Sequence, residues 1–141
     1  MHRTLLLAPL LVLIAVALAA CGGGGAQPAG PETANVTLSE FKIEASKASF
    51  TTGKTYRFVV KNVGKLEHEF MIAPSNMPMG TSMDQMHNMA VAFIEEDELQ
   101  PGQTHSVDVT LSNAMPMGQM ELACRLPGHY EQGMKLAITV Q

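Results

Sequence analysis

Four side chains that can ligate a metal ion occur along the chain in the order His, Cys, His, Met. Cys124, His129 and Met134 are separated from one another by four residues each, and His68 precedes them by a long stretch of sequence. Thiolate and thioether are soft ligands, and two His with one Cys and a weak axial Met describe a type 1 copper site. The pattern therefore predicts one type 1 copper ion per chain, bound by these four side chains.

The same ligand types indicate the chemistry of such a site. Thiolate and imidazole accept both Cu(I) and Cu(II), and a long Met bond adds little preference for the geometry that Cu(II) adopts. Little rearrangement is then needed when the charge of the ion changes, which favours the transfer of one electron. Pro127, Gly128 and Gly133 allow tight bends in the segment that carries three of the four ligands.

Methionine is the second signal, because the chain has 11 of them. The tetrapeptide Met-Pro-Met-Gly occurs at 77–80 and again at 115–118. One interpretation is that these flexible side chains fill irregular gaps and cover apolar surface. The other is that their thioethers hold Cu(I), or form a docking face for a copper-handling partner, since soft ligands select Cu(I). The residues of this second interpretation are Met77, Met79, Met83, Met86, His87, Met89, Met115 and Met117.

The elements that must position these side chains are mostly strands. From Asn35 onwards, apolar and polar residues alternate, and turn signals recur about every ten residues, which is typical of an all-β sandwich or barrel. One short helix is expected over Ser82–Ala92, where Met83, Met86 and Met89 recur at every third position. The expected strands contain 36–38, 41–43, 49–51, 55–61, 69–73, 104–111, 119–124 and 134–140.

The N-terminal segment predicts export. Residues 1–20 have the features of a signal peptide, and their apolar run, Leu5–Leu18, is shorter than the about 20 residues of a membrane-spanning helix. Residues 18–21, Leu-Ala-Ala-Cys, resemble a bacterial lipobox, in which the Cys is lipidated. We therefore expect lipidated Cys21 and a flexible linker over 21–34, followed by a folded domain over 35–141. This domain would lie in the periplasm or at the cell surface, anchored to the membrane.

Composition excludes several other classes of protein. The formal net charge of −4 argues against binding of nucleic acid, and 2 Cys cannot build a disulfide-dense scaffold. No Ser–His–acid motif and no His-x-His sequence occur, so an enzyme is not expected. The acidic run Glu95–Glu98 is interpreted as a solvated turn or as a region that steers a basic partner.

The chain resembles the cupredoxins, blue copper proteins of the plastocyanin/azurin type, over 35–141. Its Cys-to-His gap matches azurin-like members, and its His-to-Met gap matches plastocyanin-like members. The resemblance implies a Greek-key β-sandwich, with His68, Cys124 and His129 as strong copper ligands and Met134 as the axial one. Many members have Asn directly after the first His, where its amide supports the Cys loop, whereas this chain has Glu69.

Two functions follow from these observations. The first is one-electron transfer by a membrane-tethered carrier, whose partner would be a cytochrome or another copper protein. The second is copper handling, meaning binding, buffering or tolerance, with the Met-rich segments holding Cu(I). The complete set of four ligands favours the first function, and the methionines favour the second.

Overall fold

The computed structural model describes residues 30–78, 80–112 and 120–141, and these form two packed β-sheets with one short α-helix. None of the helices in these ranges has the length and apolar character that a bilayer-spanning helix requires. A 3₁₀ helix covers Glu96–Glu98. In chain order, the other elements are β1 Glu32–Ser39, β2 Lys42–Ala45, β3 Ser49–Phe50, β4 Thr55–Asn62, β5 Phe70–Pro74, α1 Met83–Met89, β6 Ala92–Ile94, β7 Thr104–Thr110, β8 Met120–Ala123 and β9 Lys135–Val140.

The strands are divided between a four-stranded and a five-stranded sheet. The first sheet has the order β2-β1-β4-β7, and the second has the order β3-β9-β8-β5-β6. Most neighbouring strands are antiparallel, but β1 pairs with β4 in parallel and β3 pairs with β9 in parallel. The all-β sandwich with a short helical Met-rich insertion that the sequence predicts is confirmed.

The core lies between the two sheets and follows from the alternation along their strands. In β4, Tyr56, Phe58 and Val60 are buried, whereas the residues between them are partly or fully exposed. Phe58 packs against Phe70 of the opposite sheet, with ring centroids 6.1 Å apart. Burying a side chain of this size contributes about 1.5–3 kcal/mol, so the sandwich is held mainly by this interior.

The five-stranded sheet is also covered on its outer face. All five residues of β5 are buried, and Met71 and Ala73 point away from the central core. Met77 and Met86, from the segment that follows β5, pack over them in a second hydrophobic cluster. The Met-rich insertion therefore forms a third layer on this sheet, which we call the outer layer (residues 75–78 and 80–91).

The helix in this layer is shorter than predicted. Ser82 caps its N-terminus in a reciprocal capping box with Gln85, and the helix ends at Met89. The prediction that it continues to Ala92 is wrong, because Ala92–Ile94 forms β6 and pairs with β5. This edge pairing, between residues distant in sequence, overrides the helical spacing of the methionines.

The first strand begins earlier than expected. β1 starts at Glu32, inside the segment 21–34 that the sequence predicts to be linker. Parallel pairing with β4 begins at once, with Glu32 opposite Tyr56, and Ala34 is completely buried. Ala34 is small and buried, so the alternation of buried and exposed residues in β1 already begins before Asn35.

Charged groups gather around the start of β1. The Glu32 carboxylate accepts hydrogen bonds from the ammonium groups of Lys47 and Lys54. The two ammonium nitrogens lie 5.3 and 5.4 Å from the centre of the Tyr56 ring. The hydrogen bond from Lys47, followed by that from Lys54, lowers the pKa of Glu32 to about 2. The ionised carboxylate thus attaches β1 to the two segments beside it.

Glu32→Gln should lower the midpoint of urea unfolding at pH 7, since both lysines lose their ionic partner. A carboxyl whose pKa is depressed in the folded state stabilises it above the unfolded pKa, about 4.3 for Glu, and loses this contribution as pH falls towards about 2. The difference between wild type and variant should therefore shrink steadily below pH 4.3. A difference that stays constant down to pH 3 would contradict the assignment.

Candidate metal centre

Strand pairing brings two distant parts of the chain to one edge of the sandwich. β5 and β8 are antiparallel neighbours, with Met71 opposite Ala123. His68 lies shortly before β5, and Cys124 directly follows β8, so both leave the sheet at the same edge. His129 lies in the loop between β8 and β9, which turns back over this edge.

Three ligand atoms converge there. Nδ1 of His68 lies 3.3 Å from Nδ1 of His129, and Sγ of Cys124 lies 3.4 Å from the same nitrogen of His129. All three ligand atoms are within 4.8 Å of one another. Atoms this close can bind one small ion together, and a thiol with two imidazoles is a donor set for a soft or borderline cation such as copper.

The pKa values of Cys124 and His68 also favour a metal site. Burial raises the pKa of the Cys124 thiol to about 11, against the opposing effect of hydrogen bonds from the backbone of Glu69 and Leu126. Burial also lowers the pKa of His68, and a positive charge on His129 would lower it further. Without a cation the thiol and His68 are therefore neutral at pH 7. A metal ion supplies the positive charge that a buried thiolate requires, and it binds neutral imidazole.

Met134 lies beside these three residues. Its backbone N–H donates to the carbonyl of His129 at 3.1 Å, and its own carbonyl accepts from the N–H of Cys124 at 3.1 Å. The side chain is completely buried in the same core cluster as Cys124. These two backbone hydrogen bonds close the loop. They hold Met134, the predicted axial ligand, next to His129 and Cys124.

Glu69, which directly follows His68, supports the loop that begins at Cys124. The residue is completely buried, and its carboxylate Oε1 accepts the backbone N–H of Arg125 at 2.7 Å. The other oxygen has no hydrogen-bond partner among the described residues. Burial raises the pKa of this carboxyl. Glu69 thus makes a backbone contact to the loop and places a carboxyl group beside it.

Phe41 was not recognised from the sequence, where it is part of a predicted strand. It lies instead in the turn between β1 and β2, with φ at 58°, and its ring packs edge-on against His129 with centroids 5.4 Å apart. A left-handed conformation costs a residue with a Cβ roughly 1–2 kcal/mol. Such conformations gather at functional sites, where the surrounding structure enforces them. Phe41 follows this tendency, because its ring packs edge-on against half-buried His129.

Asn62 is a second residue that sequence reasoning missed. It is buried at the end of β4, and its amide donates to the carbonyls of Leu66 at 2.8 Å and Leu99 at 2.7 Å. Its side-chain oxygen accepts the N–H of Gly64 at 2.8 Å. These bonds shape the turn that leads to His68. An isolated Asn at a strand end is an ordinary turn residue, so the sequence contains no signal for this role.

The candidate Cu(I) residues are divided by the structure. Met77 and Met86 are buried in the outer layer, as the gap-filling interpretation requires, whereas Met83 and Met89 are about two-fifths exposed. His87 is exposed and stacks on Phe93, with centroids 4.1 Å apart. Three members of the set, and the predicted lipidation site, lie outside the described residues: Met79, Met115, Met117 and Cys21.

Proteins with similar sequences are copper proteins by name. The copper-resistant cuproprotein CopI of Pseudomonas aeruginosa is 29% identical over 137 residues, covering 75% of this chain and 74% of the relative. CopI of Rubrivivax gelatinosus is 29% identical over 112 residues, covering 77% and 66%. CopI of Vibrio cholerae is 34% identical over 84 residues, covering 58% and 48%.

Solved structures show the same fold. Reduced auracyanin from Roseiflexus castenholzii superposes with a TM-score of 0.55 at 21% identity, covering 80% of this chain and 98% of that one. A structure of auracyanin B gives a TM-score of 0.58 at 19% identity, covering 78% and 88%. Residues 32–141 match the family described as copper binding proteins, plastocyanin/azurin family. With most of its length in this match, and with a His–Cys–His cluster at one edge of a β-sandwich, the chain belongs to the plastocyanin/azurin family of copper binding proteins.

Proposed function

We propose that this protein binds one copper ion in a type 1 site and serves copper tolerance outside the cytoplasm. The observation that carries the proposal is the convergence of the ligand atoms of His68, Cys124 and His129 within 4.8 Å. Two His and one Cys, together with a weak axial ligand such as Met134, are the donor set of a type 1 copper site. The names of the three relatives, each a copper-resistant cuproprotein, support the assignment to tolerance.

Each ligand has a distinct role in this proposal. Cys124 would hold copper as the thiolate, and His68 and His129 would hold it as neutral rings through the Nδ1 atoms that lie nearest to each other. Met134 would be the weak fourth ligand from the end of the loop. Bound copper supplies a one-electron couple between Cu(II) and Cu(I). His68, Cys124 and Met134 are completely buried, so these residues would shield a bound ion from water.

Electron transfer is the second candidate, and the exposure of one edge of the centre favours it. His129 is the only one of the four proposed ligands that is not buried. Leu66, which is 44% exposed, and Pro127 line the same shallow depression as His129. A redox partner, such as a cytochrome or another copper protein, would reach the centre here through a small, transient interface. In this candidate the protein remains a carrier and not an enzyme.

The course of β1 favours a centre that faces away from the proposed anchor. Its C-terminal end leads to Phe41, which packs on His129, whereas its start at Glu32 is at the other end of the strand. Eight residues of strand span about 25 Å. A lipid on Cys21, which precedes Glu32, would therefore attach the protein by the end remote from copper. This proposal places the protein in the periplasm or at the cell surface.

Cys124→Ser should abolish the intense visible absorption that the copper-loaded protein is expected to show. The absorption arises from charge transfer between thiolate sulfur and Cu(II), and a hydroxyl cannot replace that sulfur. Cys21→Ser, which changes the other cysteine of the chain, is the matched control and should keep the band. Visible spectroscopy with a metal count on each sample is the measurement. A band that survives in Cys124→Ser would refute the ligand assignment.

Met134→Gln should retain copper and lower its reduction potential. An amide oxygen is a harder donor than a thioether and stabilises Cu(II) relative to Cu(I). Met120→Leu changes a core methionine on β8 that is 1% exposed, so it controls for altered packing. Protein-film voltammetry of both variants is the test. If Met134→Gln binds copper at the wild-type potential, Met134 is not the axial ligand.

The role of the exposed methionines can be tested in the double variant Met83→Leu, Met89→Leu. If they hold Cu(I), titration under reducing conditions should saturate above one ion per chain in wild type, and near one in the double variant. Met77→Leu with Met86→Leu is the matched pair from the buried side of the same layer, and it should keep the extra capacity. Saturation at one ion in the wild-type protein would exclude this second Cu(I) site.

A further inference from the structure

A buried ionic network connects β8 with the loop between β8 and β9 (residues 124–134), which we call the copper loop. The side chains of Arg125 and Glu121 are only 4% and 5% exposed, and Nη2 of Arg125 donates to Oε1 of Glu121 at 3.0 Å. The Tyr130 hydroxyl donates to the same oxygen at 2.8 Å. The guanidinium carbon of Arg125 lies 3.9 Å from the centre of the Tyr130 ring. One carboxylate therefore binds two side chains that also stack on each other.

The place of these residues in the sequence connects the network to the centre. Arg125 directly follows Cys124, and Tyr130 directly follows His129. While the two proposed ligands turn towards the metal, their neighbours extend to the outer face of the five-stranded sheet. There Tyr130 belongs to the same buried cluster as Met77 and Met86.

The network also reaches the outer layer itself. Nη1 of Arg125 lies 3.4 Å from the backbone carbonyl of Met77, to which it donates. Elsewhere an open groove separates α1 from the copper loop, and its lining includes Met83, Met86, Pro127 and Tyr130. Arg125 and Tyr130 therefore contact the outer layer directly from the copper loop.

Stability alone is a weak reason to bury such a network. Removing two charges from water is costly, and apolar residues of similar volume often serve as well or better. Hydrogen bonds between buried polar groups are strong, and they can instead restrict neighbouring segments to one arrangement. Here the restricted segments are the copper loop and the outer layer.

We propose that Glu121, Arg125 and Tyr130 are positioning residues that couple the copper centre to the outer layer. When Cys124 and His129 are fixed by the metal, Arg125 and Tyr130 are fixed with them, and the outer layer, including α1, opens less often. Coupling between two sites is reciprocal, so a partner that binds and orders the outer layer tightens copper binding by the same factor. How well the exposed face of α1 is ordered then depends on whether copper is bound. The inference depends on the copper binding proposed above.

Hydrogen exchange of the full chain, with and without copper, tests the coupling. In wild type, copper should slow exchange of the α1 amides by about 5- to 150-fold, the usual range of coupling between sites. Tyr130→Phe removes one oxygen and leaves the ring packed, so the fold is expected to persist. In this variant the slowing should largely disappear, and copper affinity should fall about 10- to 100-fold, as for other groups that support ligands. The visible and EPR spectra should shift as the loop relaxes.

Tyr56→Phe is the matched control. Tyr56 is 1% exposed, and its hydroxyl accepts the N–H of Thr51 at 2.9 Å, in the cluster around the start of β1. Its loss should lower stability without changing the spectra or the copper-dependent protection of α1. Glu121→Leu combined with Arg125→Met removes both charges together, and this pair should behave like Tyr130→Phe.

The outcomes separate this inference from the function on which it depends. If metal analysis finds no copper in the wild-type protein, both are overturned. If copper binds but leaves exchange of α1 unchanged, the coupling is refuted and copper binding stands. If copper protects α1 equally in wild type, Tyr130→Phe and the charge-free pair, the network does not carry the coupling.

Discussion

The pairing of β5 with β8 is the constraint on which the centre depends. It brings His68 and Cys124, which are far apart in sequence, to one edge of the same sheet. A loop on its own could hold Cys124, His129 and Met134, but only the sheet can place an imidazole from another part of the chain against them. The ligand atoms of His68, Cys124 and His129 therefore meet because a backbone hydrogen-bond ladder, anchored in the hydrophobic core, fixes the register.

Among the described residues, the buried carboxyl and guanidinium groups lie near this edge. Glu69, Glu121 and Arg125 are buried beside the copper loop, whereas the ion pairs of Lys42 with Glu44 and of Arg57 with Asp108 lie at the surface. Surface pairs contribute little to stability, and buried charges are costly unless they are well bonded. The concentration of buried polar contacts at one loop is thus best understood as control of backbone geometry.

Copper tolerance and electron transfer make different demands on one centre. Tolerance requires that the ion be held tightly, and burial of Cys124 in a loop closed by backbone hydrogen bonds would favour this. Electron transfer requires an accessible side of the centre and little rearrangement, and half-buried His129 would provide that access. The outer layer is an addition to the basic sandwich. Met77 and Met86 pack on the sheet and help to hold this layer in place, whereas Met83 and Met89 are exposed to solvent. Among the described methionines of this layer, Met83 and Met89 are therefore the ones accessible to Cu(I) from solvent.

The sequence by itself determined the all-β class and most of the strands, because these depend on local alternation. It also singled out His68, Cys124 and His129, which the structure brings together, because of their residue types and their order along the chain. Only the tertiary structure decided which methionines are buried, that Phe41 leaves its predicted strand to pack on His129, and that Ala92–Ile94 joins the sheet. The contacts that Glu69, Arg125 and Tyr130 make in and beside the copper loop were likewise decided only by the tertiary structure. Each of these depends on partners remote in sequence, and the face that a residue presents to them is set by strand register and layer packing.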